Sequence, residues 1–184
     1  GVVSALAPVL TSGRIAKIMH DCREDVSALY HQFGIVCDGV YDTQIAHFML
    51  LEQANYAPYQ ISLNDLLVKM LGFGNQGSKA VGEQMKNDPQ IWFYRPIPQD
   101  LIEYAVQDVV HLPAMRELLS EQLADMSMQN VIHRSKTYTR YPFLNQHLQS
   151  SKDLFQKAIR VQAMLVTANQ QALYFKLNAG GVSG

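Results

Sequence analysis

Two acidic positions in this sequence stand where carboxylates can do chemistry. Asp25 follows the apolar run Ala16 to His20 within KIMHDCREDVSALYHQFG, residues 17–34, and Asp108 stands four residues after Tyr104 in QDLIEYAVQDVVHL. That interval puts Tyr104 and Asp108 on one helix face about a turn apart, a face that also carries Leu101 and Leu112. A carboxylate at the edge of a buried face needs a partner, because an isolated buried charge costs several kcal/mol. A divalent cation is one such partner; an arginine or a helix N-terminus is another. Asp25 lies at the mouth of a sheet, where α/β proteins bind ligands, and supplies the second acid of a two-metal phosphoryl-transfer site. Such ions stand ~3.5–4 Å apart and demand several carboxylates, so two acids alone do not suffice.

The elements that must position these residues are legible in outline. Val2 to Leu10 reads as a short helix, and Ala16 to His20 as a buried strand. Asp21, Arg23, Glu24 and Asp25 then form either an ordinary helix start or a metal-binding corner. Val26, Leu29, Tyr30 and Phe33 recur at helical spacing, with Gly34 as the stop. Gly34 to Cys37 reads as a second short strand, and Asp42 as the cap of a helix through Leu51. A further helix spans Leu63 to Leu71. GFGNQGSKAVG lacks Walker spacing and reads as a polar connection. Pro98 leads into the helix bearing Tyr104 and Asp108, and Pro113 kinks it or starts another helix ending near Leu123. Leu148 to Ala158 reads as helical, and the runs around Asn169-Gln170-Gln171 as a hairpin.

The 184 residues are 48% hydrophobic, enough for one domain with a core and the beginning of a second. No apolar run reaches the ~18–20 residues of a membrane span, so no membrane partner is expected. Cys22 and Cys37 are isolated and lack zinc spacing, which fits reduced thiols and an intracellular location. The net charge of −1 hides a split: 8 Lys and Arg stand against 15 Asp and Glu up to Asp125, and 7 against 1 from Met126 onward. An acidic body thus carries a basic tail, suited either to solvent or to phosphate.

HDCREDVSALYHQFGIVCDGVYDTQIAHFMLL and WFYRPIPQDLIEYAVQDVVHL together resemble the DEDD superfamily of 3′ to 5′ exonucleases, tyrosine subtype, in its ribonuclease D and Egalitarian-like branch. The resemblance covers residues 1 to about 125. It implies a ribonuclease H-like α/β fold, helix-rich, in which Asp25 and Asp108 bind metal and Tyr104 orients the attacking water. Two Mg²⁺ or Mn²⁺ ions serve as cofactors in the intact family enzyme. Asp42, Thr43 and Gln44 match the family's Asp-Thr-Gln motif, a helix cap beside the site, and His20 is a second supporting residue. The family's first motif, an Asp and a Glu two residues apart on the first strand, has no counterpart: residues 1–20 contain no acid. The chain, which opens on Gly1, is therefore expected to be N-terminally incomplete, with another protein segment or chain completing the sheet.

The expected organisation is an exonuclease-like domain over 1–125, a basic linker and helix over 126–158, and a β-rich end over 159–184. That end resembles the first strands of an S1-type OB module. Arg134, Lys136, Arg140 and Lys157, with Tyr138 and Tyr141 for stacking, are the expected contacts to single-stranded RNA or another nucleic acid. The functional expectation is a 3′ to 5′ exonuclease domain, RNA preferred, inactive in this form because half of the four acids are missing. The alternative is a catalytically inert exonuclease fold that binds RNA or scaffolds a ribonucleoprotein. His111 could contact phosphate, though an exposed helix histidine is the better fit; Arg23 and Arg95 could too, but acids lie close to each in sequence.

Overall fold

Val40 and Tyr41 are neighbours on one strand, yet they feed different cores. The computed structural model describes residues 2–75, 77–123 and 128–144. Its two strands, β1 (Lys17–Met19) and β2 (Val40–Asp42), run parallel with Ile18 opposite Tyr41 and Met19 opposite Asp42. Because successive side chains on a strand point to opposite faces, Tyr41 and Ile18 join one cluster while Val40 and Met19 join the other.

On the Val40 face lie α1 (Val2–Leu10) and α2 (Arg23–Phe33), through Val3, Val26, Ala28 and Leu29. The crossover α2 ends as expected at Gly34, whose φ of 66° is a left-handed conformation that favours glycine. The Tyr41 face packs on α3 (Thr43–Gln53), α4 (Leu63–Leu71), α7 (Leu112–Gln122) and α8 (Met128–Thr139). Side chains such as Leu66, Met115 and Leu119 there have no exposed surface, each stabilising the fold by about 1.5–3 kcal/mol. A third cluster of Val81, Trp92, Leu101 and Ala105 joins α5 (Ser78–Asn87), the 3₁₀ turn Ile91–Phe93 and α6 (Gln99–Val110). The short α9 (Tyr141–Leu144) sets Phe143 edge-on against Tyr30 of α2.

Three expectations are corrected. Gly34 to Cys37 is not a strand: Ile35 and Cys37 are buried in the α2 cluster, so their apolar character answers to burial and not to pairing. Pairing starts at Val40, after Gly39 turns the chain with φ 64°; a Cβ there would meet the Ile15 carbonyl oxygen at 2.9 Å. The glycine-rich stretch is only half a connection, since α5 begins at Ser78 and buries Val81. Residues 128–139, read as linker for their charge, form α8, which buries Val131, Ile132 and Ser135 and packs on β2. Pro113 lies at the start of α7 and kinks nothing. The expected helix at 148–158 and the hairpin and OB-like end lie outside the described residues.

Candidate active site

The carboxylate of Asp42 receives backbone N–H groups from three directions. Asp21 N–H and Gln44 N–H donate to Oδ1 at 3.0 and 2.8 Å, and Cys22 N–H donates to Oδ2 at 2.8 Å. The residue has no exposed surface, and its own N–H donates to Ser135 Oγ at 3.1 Å. One side chain therefore caps α3 and satisfies donors just ahead of α2, locking the ends of both strands to the turn that carries Asp25. Asp21 takes a left-handed φ of 50° to enter this arrangement.

His20 is tied down at both ring nitrogens. Nε2 lies 3.0 Å from the Ile61 carbonyl, which only accepts, so Nε2 carries the proton. Nδ1 lies 2.8 Å from Thr43 Oγ1. The ring thus fastens the end of β1 to α3 and to the segment leading into α4.

The charged corner opens α2, and within it Arg23 and Asp21 form an ion pair. Arg23 donates from Nε and Nη2 to the Asp21 carboxylate at 2.6 and 2.8 Å, and its guanidinium lies over the rings of Tyr138, at 4.8 Å, and Tyr141, at 5.9 Å. Glu24 and Asp25 occupy the first turn of α2, where the helix dipole favours anions. Asp25 is half-buried. Burial pushes the Cys22 thiol well up, Asp42 adds to it, and Asp25 contributes further. Cys37 is pushed up to about 11, again by burial first. Neither is a thiolate nucleophile at neutral pH.

Tyr104 and Asp108 are held from the other side by a residue that sequence reading missed. Asn75, nearly buried in the glycine-rich stretch, donates from Nδ2 to the Tyr104 carbonyl at 3.2 Å and to Asp108 Oδ1 at 2.9 Å. Its own N–H goes to Asn64 Oδ1 at 2.7 Å. The only sequence signal was an Asn between glycines, too weak to separate an amide that orients a carboxylate from a turn residue. Tyr104 packs in the third cluster, its ring 6.4 Å from that of Trp92, while Asp108 is half-buried. His111 meets Gln107 Oε1 at 3.1 Å and packs edge-on against Phe73.

The basic residues divide. Arg134 forms a two-pronged pair with Glu52, with Nη2 to Oε1 at 2.6 Å, and this hydrogen bond holds the Glu52 carboxyl below its usual range. Lys136 and Arg140 line open grooves beside α8. Arg95 donates to the carbonyls of Trp92 and Tyr94, not to an acid. Lys157 lies outside the described residues.

Residues 2–124 match the family model described as a 3′-5′ exonuclease. The chain belongs to this 3′-5′ exonuclease family. Among its relatives is the piRNA biogenesis protein EXD1 of Homo sapiens, 30% identical over 131 residues, which cover 67% of this chain and 26% of that protein. Ribonuclease D of Nitrobacter hamburgensis is 29% identical over 144 residues, covering 73% of this chain and 34% of that one. The chain thus spans about a quarter to a third of the length of these curated relatives. The crystal structure of Trypanosoma brucei RNase D shares the fold, with a TM-score of 0.67 at 21% identity over 86% of this chain and 58% of that one. The exonuclease fold is thereby the ribonuclease H-like one expected, helix-rich around a small parallel sheet.

The family implies dependence on divalent metal. Among the described residues, however, no group of three or more His, Cys, Asp and Glu side chains is placed to hold an ion. Asp25 and Asp108 do not make a complete ligand set by themselves.

Proposed function

We propose that this exonuclease domain works, within the intact protein, in 3′ to 5′ hydrolysis of RNA. What supports the reading is the match of residues 2–124 to the family, within which fall Asp25 in the first turn of α2 and Tyr104 and Asp108 one turn apart on α6. Asp25 and Asp108 contribute two of the carboxylates for Mg²⁺ or Mn²⁺, which supply charge stabilisation at phosphorus and an activated water. Tyr104 orients that water, and Asn75 positions the carboxylate of Asp108. The names of the relatives, a ribonuclease and a piRNA biogenesis protein, support RNA over DNA.

The remaining acids come from a further β-segment. Among the described residues β1 pairs only with β2, and its three residues are merely half-buried, so its outer edge is open to another strand. That strand, from the same protein or a partner, completes the sheet. The 184-residue chain alone is inactive, because two carboxylates cannot hold two divalent ions. Incubating 5′-labelled single-stranded RNA with Mg²⁺ or Mn²⁺ tests both statements. The intact protein shortens RNA from its 3′ end, Asp25→Asn or Asp108→Asn abolishes this, and the chain alone leaves RNA uncut. Trimming by the chain alone overturns the second statement.

The absence of a complete ligand set among the described residues favours one rival, an inert exonuclease fold that binds RNA or scaffolds a ribonucleoprotein. An intact protein that binds RNA tightly and never shortens it establishes that rival.

A further inference from the structure

We propose that the outer face of α8, centred on Lys136 and Arg140, is a non-catalytic contact for the phosphate backbone of single-stranded RNA. From Met128 to Arg140 the sequence contains no acid. Val131, Ile132, Ser135 and Thr139 turn inward, which leaves Gln129, Asn130, His133, Lys136, Thr137 and Arg140 on the other side. That side is basic and rich in hydrogen-bond donors, the mixture that phosphate oxygens accept from.

The structure sorts free cations from committed ones. Arg23 is paired with Asp21, Arg116 with Glu117 and Arg134 with Glu52. Neither Lys136 nor Arg140 forms an ion pair among the described residues. Both line two adjoining grooves, one of about 850 Å³ with Gln129, Asn130 and Thr137, the other of about 500 Å³ with Thr11, Val36, Asp38 and Phe143. Asp38 is the acid of the smaller groove. Its carboxylate already accepts the Gly39 N–H at 2.8 Å and faces the charge of Lys17, so the two cations remain in excess. Val36 and Phe143 are 46% and 40% exposed there, offering an apolar surface to an unstacked base.

The face lies on α8, whereas Asp25 is on α2 and Tyr104 and Asp108 are on α6. Ser135 bonds at Asp42, the C-terminal end of β2, while Arg140 lines the groove at Asp38, beyond the other end of that strand. The contact rests on the nucleic-acid reading for its choice of polymer but requires no cleavage.

The test is binding of fluorescent oligo(U) to the 184-residue chain across a salt series in EDTA, which removes any dependence on metal. Each phosphate contact contributes about 0.7 to the logarithmic salt slope, so Lys136→Gln with Arg140→Gln lowers the slope by about 1.4 and weakens low-salt affinity several-fold. Both side chains lie off the core, and circular dichroism verifies that the variant stays folded. Glu52→Gln, which frees Arg134 on the wall of the larger groove, raises affinity and steepens the slope by about 0.7. Equal slopes for all three proteins overturn the proposal. So does a chain that ignores oligo(U) and binds poly-glutamate, which assigns the face to an acidic protein.

Discussion

Asp42 and Asp108 are the same residue type in opposite circumstances. Asp42 has no exposed surface and is wrapped by three backbone donors from two helix starts, whereas Asp108 is half-buried beside one asparagine amide. A carboxylate whose lone pairs are consumed by the backbone has nothing left for a substrate; it holds the architecture. Asp108 is only half-buried, and its Oδ1 accepts from the Asn75 side chain.

The comparison breaks most readily at Asp42. Asp42→Asn replaces an acceptor oxygen by an NH₂ that confronts backbone donors, and we expect a loss of about 3–5 kcal/mol in urea unfolding. Asp108→Asn is expected to change stability by no more than about 1 kcal/mol while removing activity from the intact protein. Equal losses for the two would erase the distinction.

Gly39 and Gly34 sharpen it next. Both have positive φ, but a Cβ at Gly39 would crowd the carbonyls of Ile15 and Ser12, while one at Gly34 would meet nothing within 4 Å. Gly39→Ala should cost roughly 2–3 kcal/mol and Gly34→Ala only the left-handed penalty of about 1 kcal/mol. Thermal denaturation of the two variants measures the difference.

Acid should weaken the enclosed end at a defined pH. His47, on the helix that Asp42 caps, is buried and held at about 4, first by desolvation and then by Lys69. Its folded value lies below its unfolded value of ~6.5, so the unfolded chain binds the extra proton between these values. The stability it contributes is complete above pH 6.5 and lost as pH falls from there towards 4, a loss on the order of 3 kcal/mol. Comparing the pH dependence of unfolding with that of His47→Gln isolates it; superimposable slopes would refute the assignment.

The smallest effect concerns the thiols. Cys22 and Cys37, buried and displaced upward, should resist alkylation at pH 7.5 until the chain unfolds, which timed mass spectrometry can follow.

Local signals carried much of the fold. Asp42 before α3, Gly34 after α2 and the apolar spacing of α6 were each readable, because caps and periodicity operate within a few residues. What failed were judgements decided at a distance. Ile35 and Cys37 look like a strand until α2 is seen to cover them. The charges of α8 look like a linker until Val131 and Ile132 meet the core. The pairing of Arg134 with Glu52 spans 82 residues, and no local pattern announces it. In the candidate site, helical spacing puts Tyr104 and Asp108 on one face and the family resemblance supplies their expected roles, but Asn75 was hidden in a stretch whose glycines drew attention to its turns.

The bond from Asp42 N–H to Ser135 Oγ joins residues 93 positions apart. A chain emerging from the ribosome makes β2 long before it makes α8. Until then, the amide of Asp42 and the Tyr41 face of the ladder have no cover from that helix. The covering of that face is therefore a late product of synthesis, because the contact that completes it is among the longest in the chain. A chain halted at Asp125, which contains every residue matched to the exonuclease family, stops short of that closure and should emerge as an aggregation-prone intermediate.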